Sequence, residues 1–300
     1  MGTPDFAVAS LKALVESGDC EVVAVITAPD KPSGRGLSMH QTPVKQYAVA
    51  QNIPVLQPEK LKNSEFLAQL RSYNADLQVV VAFRMLPEVV WAMPRIGTFN
   101  LHGSLLPQYR GAAPINWAVM NGDTETGVTT FFIQQEIDTG NVIFTEKTLI
   151  LPEDNAGTVH DRLMHIGANL VVKTVRAIKA GNYPQIPQDM SSELKSAPKI
   201  FKETCQIDWQ QSAEKIHNFV RGLSPYPAAW TLLNGKSCKI YQTEIGEETT
   251  DVSTEIGGFR TDGKMFLDFR CTDKWLKIKE LQLEGKKRMG VGEFLRGFRA

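Results

Sequence analysis

The 300-residue sequence lacks the features that announce several common protein classes. No apolar run reaches the roughly 18–20 residues that span a bilayer. The N-terminus has no basic-then-apolar leader, so a cytoplasmic protein with no membrane partner is expected. Four cysteines, Cys20, Cys205, Cys238 and Cys271, are widely separated and form no C-x-x-C pair. This points to reduced thiols rather than a zinc site or a disulfide framework. Metal spacing is also missing among the histidines. His160 and His165 stand five apart on a helical stretch rather than four, and His40 and His217 have no ligand constellation around them. Net charge is absent as well, with 33 basic residues against 33 acidic ones. Bulk electrostatics therefore does not suit this chain to holding a nucleic acid, while a local basic patch stays open. Divided after residue 200, the counts are 17 basic against 19 acidic and then 16 against 14, a bias too small to assign a role. A last absence concerns the start. Met1-Gly-Thr-Pro-Asp-Phe6 enters a turn and a helix directly, whereas a doubly wound fold begins with a strand feeding such a turn. The first strand of the expected sheet is missing.

What is present is ordinary for a globular chain, 42% hydrophobic and 22% charged, with a length that suits two domains. Residues 1–180 alternate between strand and helix signals. Strands are expected at Glu21–Ile26, Asp76–Ala82, Ile96–Leu101 and Val128–Ile133, with helices over 5–17, 64–74 and about 158–180. The run Asp76–Ala82 is almost continuously apolar, as in a parallel strand covered on both faces. The expected fold is α/β, a doubly wound and mostly parallel sheet. Residues 181–200 hold three prolines and no sustained period, and read as a linker. Residues 201–300 read as a helix near 212–222 and then five short strands, Ala229–Leu233, Ser237–Glu244, Gly257–Arg260, Met265–Arg270 and Trp275–Leu283. Turns at Asn234-Gly-Lys236 and Thr261-Asp-Gly263 separate them. An OB-like barrel is expected, which either contacts nucleic acid or merely packs against the first domain.

Two polar constellations carry chemistry. In Asn100-Leu-His102-Gly-Ser-Leu-Leu-Pro107 the asparagine and histidine are two apart on a strand, so both side chains leave the same face. They stand at the carboxyl end of that strand, where open α/β sheets place their ligands. An amide donor beside an imidazole suits a developing oxyanion. In Glu136-Ile-Asp138-Thr-Gly140 a carboxylate follows the strand at 128–133, before a glycine that permits close backbone approach. Asp138 either orients His102, holds a proton-shuttling water, or caps its own turn. Residues 28–45 carry Lys31, Arg35 and Lys45 among prolines and glycines, and read as a mobile, mildly basic loop rather than an element. Gly-Arg-Gly at 34–36 follows no strand-to-helix turn and is not a nucleotide fingerprint. Lys286-Lys-Arg288 is either surface solvation or a phosphate contact.

Taken together, Asn-x-His, Ser-Leu-Leu-Pro, Tyr109-Arg-Gly-Ala-Ala-Pro-Ile115 and Asp-Thr-Gly resemble the folate-dependent formyltransferases. Gly2-Thr-Pro-Asp-Phe6, Ala28-Pro-Asp-Lys-Pro-Ser-Gly-Arg-Gly36 with Thr42-Pro-Val-Lys45, and the C-terminal β-domain are similar to members that act on charged initiator tRNA. The likeness runs from residue 2 to residue 299. It implies that 10-formyltetrahydrofolate is the co-substrate, that initiator methionyl-tRNA is the partner, and that the protein works as a monomer without a metal. By position it implies a catalytic group of Asn100, His102 and Asp138. The folate would be bordered by Ser104, Leu105, Leu106 and Pro107, and its ring edge read by the main chain of Phe83, Arg84, Met85 and Leu86. Family members often carry glycine where Arg84 stands. Arg35, with Lys31 and Lys45 in the same loop, would reach the tRNA. Two other readings stay in view: a formyltransferase for a small amine, and an RNA-binding protein with a relic α/β domain.

Overall fold

The computed structural model describes residues 1–33, 38–191, 193–249 and 253–298. By internal contacts the chain divides into two compact units. One comprises Met1–Gly111, Gly127–Thr148 and His160–Ser196; the other comprises Ala112–Thr126, Leu149–Val159 and Ala197–Ala300.

The first helix, α1 (Asp5–Ser17), buries Phe6, Ala7, Ser10 and Leu14 at helical spacing and ends at Gly18, whose φ of +67° costs a glycine little. Strand β1 (Val25–Ile26) is shorter than expected, since Glu21–Ala24 find no ladder. The segment after it is no plain loop. Strands β2 (Lys31–Ser33) and β3 (Ser38–His40) form an antiparallel hairpin, and helix α2 (Pro43–Ala50) follows. The Thr42 hydroxyl caps that helix by accepting from the Lys45 amide, and Pro43 sits at its first position. Strand β4 (Val55–Leu56) then pairs parallel to β1.

Helix α3 (Ser64–Ser72) is capped by the Asn63 side chain and leads to strand β5 (Leu77–Val81), helix α4 (Glu88–Trp91) and strand β6 (Gly97–His102). β5 and β6 are parallel, with Val80 opposite Asn100. Next come β7 (Arg110–Gly111), α5 (Pro114–Met120), β8 (Glu125–Phe132) and β9 (Val142–Leu149). The sheet order is β5-β6-β8-β9. Here the expected parallel series is corrected, because β8 runs antiparallel to β6 and pairs His102 with Thr129 and Phe99 with Phe132. A parallel return needs a crossover helix laid on the sheet. The helix between these strands, α5, instead groups with the second unit. Helix α6 (Ala156–Lys179) covers one sheet face. A Cβ at Gly167 would lie 2.7 Å from the Leu101 side chain, and Thr174 hydrogen-bonds Thr130 at 2.9 Å. With Leu101 turned toward α6, the pleat sends Asn100 and His102 to the other face.

A cavity of about 1030 Å³ lies in this unit between the two parallel pairs, lined among others by Ala7, Leu14, Val23, Val25, Val79 and Val81. Met1 and Gly2 bridge it. The Gly2 amide donates to Ile26 O at 3.0 Å, while the Val81 amide donates to Met1 O at 2.9 Å. Gly2 and Val81 form a parallel bridge. Those two residues thus sit as the carboxyl end of a strand would, between β1 and β5. No side chain fits at Gly2, because a Cβ would meet that of Ala7 at 2.4 Å.

The second unit is a packed sheet. Short β10 (Ser196–Ala197) and a 3-10 turn at Glu203–Cys205 precede helix α7 (Ala213–Leu223). Then follow β11 (Ala229–Leu233), β12 (Lys236–Glu248), β13 (Phe259–Thr261), β14 (Leu267–Arg270), β15 (Lys274–Leu283), β16 (Met289–Gly290) and α8 (Val291–Leu295). The order is β11-β12-β15-β14-β13, with β16 on β15, and no pairing closes it among the described residues. Ile216, Val220 and Leu223 of α7 belong to one core with Leu233, Ile240, Leu276 and Leu281. Asn234 and Gly235, both at positive φ, make the expected hairpin turn. Among the described residues no helix is long and apolar enough to cross a membrane.

The cavity makes a prediction about stability. In a polypeptide of these 300 residues, burial pushes the Met1 α-ammonium from 8.0 down to about 5. Between those values the folded state binds fewer protons than the unfolded state, so stability rises with pH from about 5 to 8. Extending the chain before Met1 by five β-branched apolar residues turns the ammonium into an amide and offers the cavity a strand. Thermal melting should then rise by roughly 5 °C or more, and the pH slope should vanish. An unchanged Tm would show that the cavity is not a strand position.

Candidate functional site

Strand β6 delivers two polar side chains to the face away from α6. Asn100 is partly exposed, and its side-chain amide has no hydrogen-bond partner among the described residues. His102 is buried, with its ring edge-on to Phe131 at 6.4 Å between centroids. The His102 Nε2 lies 2.8 Å from the Tyr109 carbonyl oxygen. A carbonyl only accepts, so Nε2 carries a proton and Nδ1 is the nitrogen left for chemistry.

Nδ1 faces Asp138, 3.8 Å from its Oδ2. That same oxygen accepts a hydrogen bond from the Gly111 amide at 3.0 Å. The antiparallel course of β8 changes how Asp138 gets there. By register the exit of β8 at Phe132 lies beside Phe99, about 10 Å back along β6 from His102. The segment after β8 must therefore fold back, and two residues show the tightness of that course. Asp138 has φ +55°, and a Cβ on Gly140 would fall 1.6 Å from Phe132 O. Glycine at 140 is obligatory here, in keeping with the close approach expected of it.

The stretch after β6 is held from within. The Ser104 hydroxyl is fully buried and donates to Gln108 O at 2.6 Å. Thr129 Oγ1 donates to Ser104 O at 2.7 Å and accepts from the Leu106 amide at 3.2 Å. Ser104 thus shapes the loop and offers its surroundings no side-chain group. The Leu106–Pro107 peptide is cis, and Leu106 is buried while Leu105 and Pro107 are partly exposed. In the segment 83–86, Leu86 joins the core of Ile26, Phe66 and Val80, and Met85 is 73% exposed. Arg84 turns onto the carbonyls of Pro58 and Glu59 and lies over the Phe83 ring.

Of the three cations expected to reach RNA, Arg35 lies outside the described residues, as does Gly-Arg-Gly at 34–36. Lys31 is exposed on β2. Lys45 is ion-paired with Asp30, and Gln57 donates to the same carboxylate at 2.7 Å. Lys45, then Gln57, holds the Asp30 carboxyl below the usual carboxylate range. Lys45 is therefore a clamp at the base of the hairpin. In the other basic cluster, Arg288 pairs with Glu280 and lies over the Tyr241 ring, and Lys287 pairs with Glu293. Among the described residues no group of three or more His, Cys, Asp or Glu side chains is arranged to hold a metal ion, and His160 hydrogen-bonds Asp161. Cys20 is partly exposed, the other three cysteines are buried, and all four are free.

Sequence reasoning missed the site's supports: the Tyr109 carbonyl, the Gly111 amide, Thr129 and Gln188. The first two are main-chain groups, inside a motif whose side chains alone carry a signal. Gln188 lies in a stretch without any period and left no signal.

The geometry, an amide and an imidazole on one strand face with a carboxylate folded back beside the ring, is joined by likeness to known proteins. Residues 1–175 match the family described as formyl transferase, and residues 199–299 match the formyl transferase C-terminal domain. Methionyl-tRNA formyltransferase of Parabacteroides distasonis is 58% identical over 309 aligned positions, covering 100% of this chain and 94% of the relative. The Bacteroides fragilis protein of the same name is 56% identical over 306, covering 99% and 94%. Among solved structures, a sugar 3N-formyl transferase determined with dTDP and 5-N-formyl-THF superposes with a TM-score of 0.66 at 20% identity, covering 95% of this chain and 97% of that one. That last likeness speaks for the fold alone. With both of its parts matched and relatives above half identity along its whole length, the chain belongs to the formyl transferase family.

Proposed function

We propose that this protein transfers the formyl group of 10-formyltetrahydrofolate to the α-amine of methionine on initiator tRNA, for translation initiation. What carries the proposal is the match along both the 1–175 and 199–299 segments to methionyl-tRNA formyltransferases at 56–58% identity. The small-amine reading is disfavoured by the same numbers, since the sugar enzyme stands at 20%. We assign residues 1–180 to formyl transfer, 181–200 to a linker, and 201–300 to an OB-like domain that contacts tRNA, in a cytoplasmic monomer.

The chemistry follows from the free groups. The amine nitrogen bonds to the formyl carbon, and the carbonyl π pair moves onto oxygen. Collapse of that intermediate breaks the bond to N10 of the folate, and the proton lost by the amine ends on N10. The oxyanion takes hydrogen bonds from the unpartnered Asn100 amide and from Nδ1 of a protonated His102. One such donor is typically worth about 10²–10³ in rate. Asp138 stabilises that imidazolium and accepts the amine proton, through a water where distance requires it. Polarisation comes from hydrogen-bond donors, so the mechanism calls on no metal, and direct attack by the amine calls on no nucleophilic Ser or Cys. The main chain of Phe83, Arg84, Met85 and Leu86 reads the folate ring edge, bordered by Ser104, Leu105, Leu106 and Pro107. Arg35 and Lys31 contact tRNA phosphates, with Lys45 holding Asp30 just before β2.

Formylation of charged initiator tRNA, run beside an amino-sugar nucleotide and glycinamide ribonucleotide, should succeed with the tRNA alone; transfer only to a small amine would sink the proposal. His102→Ala should lower kcat by about 10²-fold or more and leave tRNA affinity nearly unchanged. Wild-type turnover would remove His102 from the mechanism. Arg35→Ala should raise KM for tRNA, spare KM for folate, and lower the salt slope of tRNA binding by about one. A wild-type slope and affinity would clear Arg35 of that role.

A further inference from the structure

The segment between β8 and β9 carries Asp138 but has little ladder of its own to hold it. The Phe132 amide donates to Asn141 O, and the Ile133 amide donates to Thr98 O. Beyond them the chain turns through a left-handed Asp138 into Gly140. Its fixed point comes from a distant residue, Gln188, in the stretch after α6. The Gln188 Nε2 donates to Asp138 O at 2.8 Å and to Gly140 O at 2.9 Å. Its Oε1 accepts from Arg110, with Nε at 3.1 Å and Nη2 at 2.5 Å. The orientation of the amide is forced, since carbonyls only accept and a guanidinium only donates. Two residues upstream, Ile186 exchanges both main-chain hydrogen bonds with Val142, at 2.8 and 2.9 Å, so Gln188 is delivered from a fixed backbone.

These contacts close a ring. Arg110 grips the Gln188 oxygen, Gln188 grips the carbonyls around Asp138, and Gly111, the next residue after Arg110, grips the Asp138 carboxylate. The carboxylate that faces His102 Nδ1 at 3.8 Å is thereby held from its main chain and its side chain by one short stretch, Arg110–Gly111. We propose that Gln188 is a positioning residue for formyl transfer, acting by fixing Asp138 against His102. This rests on the reading above that His102 and Asp138 carry the reaction.

Glu is nearly the same shape as Gln and keeps an acceptor for Arg110, but its carboxylate has no donor for the carbonyls of Asp138 and Gly140. A space-filling role tolerates it; a positioning role does not. Both Gln188→Ala and Gln188→Glu should therefore lower kcat about 10-fold or more, in line with the loss caused by misplacing a catalytic group, with KM for folate and for tRNA within about twofold. Hydrogen exchange at the amides of 137–140 should speed up in both variants. In an Asp138→Asn background, adding Gln188→Ala should cost less than about twofold, because two changes acting through one group do not add. Wild-type kcat in Gln188→Glu, unchanged exchange over 137–140, or an undiminished loss in the Asp138→Asn background would each overturn the proposal. Should Gln188→Ala not fold, the Glu variant, which keeps the Arg110 contact, supplies the same readouts. The two readings fail separately. Wild-type turnover by both Asp138→Asn and His102→Ala would strike the catalytic assignment itself. Slow turnover by those two beside a fast Gln188→Glu would strike only the role of Gln188.

Discussion

The hydrogen bond between His102 Nε2 and the Tyr109 carbonyl decides what the site can do. It assigns the proton on one ring nitrogen and turns the other toward Asp138. In the neutral ring that other nitrogen is an acceptor facing a carboxylate, a pairing of two acceptors. The arrangement becomes favourable only when a proton stands between them, on Nδ1 or on a bridging donor. Tyr109 sets up this pairing with a main-chain oxygen. The backbone there is bent to aim that oxygen. Tyr109 has φ +59°, and its amide is tied to Lys195 O.

Much of this was legible where a side-chain period carried the information. Helix α1 matches its expected span, and β11 does too; α6 and α7 come within two residues. The two-residue spacing of Asn100 and His102 was enough to put them on one face, and α6 against Leu101 shows which face it is. Strand direction was not legible. A β-rich stretch such as Val128–Ile133 carries no signal of its direction relative to a neighbour, so only the register of β8 with β6 reveals that it is antiparallel. The hairpin at 31–40 was hidden for another reason. Its Pro32 and exposed Lys31 suit an edge ribbon that has no core face to pattern.

Residues 181–196 show how a stretch without periodicity can still be determined. Read for pattern it is a connector, and in space much of that connector is fastened to the first unit, at Ile186, Gln188 and Lys195. None of those attachments uses an apolar face, so no hydrophobic period arises. Each is a main-chain or amide contact whose partner is set by three-dimensional position.

Energetic comparison explains why such a strap is needed. A left-handed non-glycine residue is of order 1–3 kcal/mol above its relaxed state, and Asp, which tolerates that region, belongs near the lower end. The segment at 138 has no sheet pairing to offset this. Buried hydrogen bonds contribute about 0.5–1.5 kcal/mol each, more when a charged group takes part. The three that reach the Asp138 main chain, the Gly140 main chain and the Asp138 carboxylate together exceed the strain. Remove the two from Gln188 and the balance falls to the Gly111 contact alone, which is comparable to the strain. The carboxylate then has no single preferred place. A hydrogen-bond network that looks redundant when each contact is counted alone is therefore what gives His102 a partner at a defined distance.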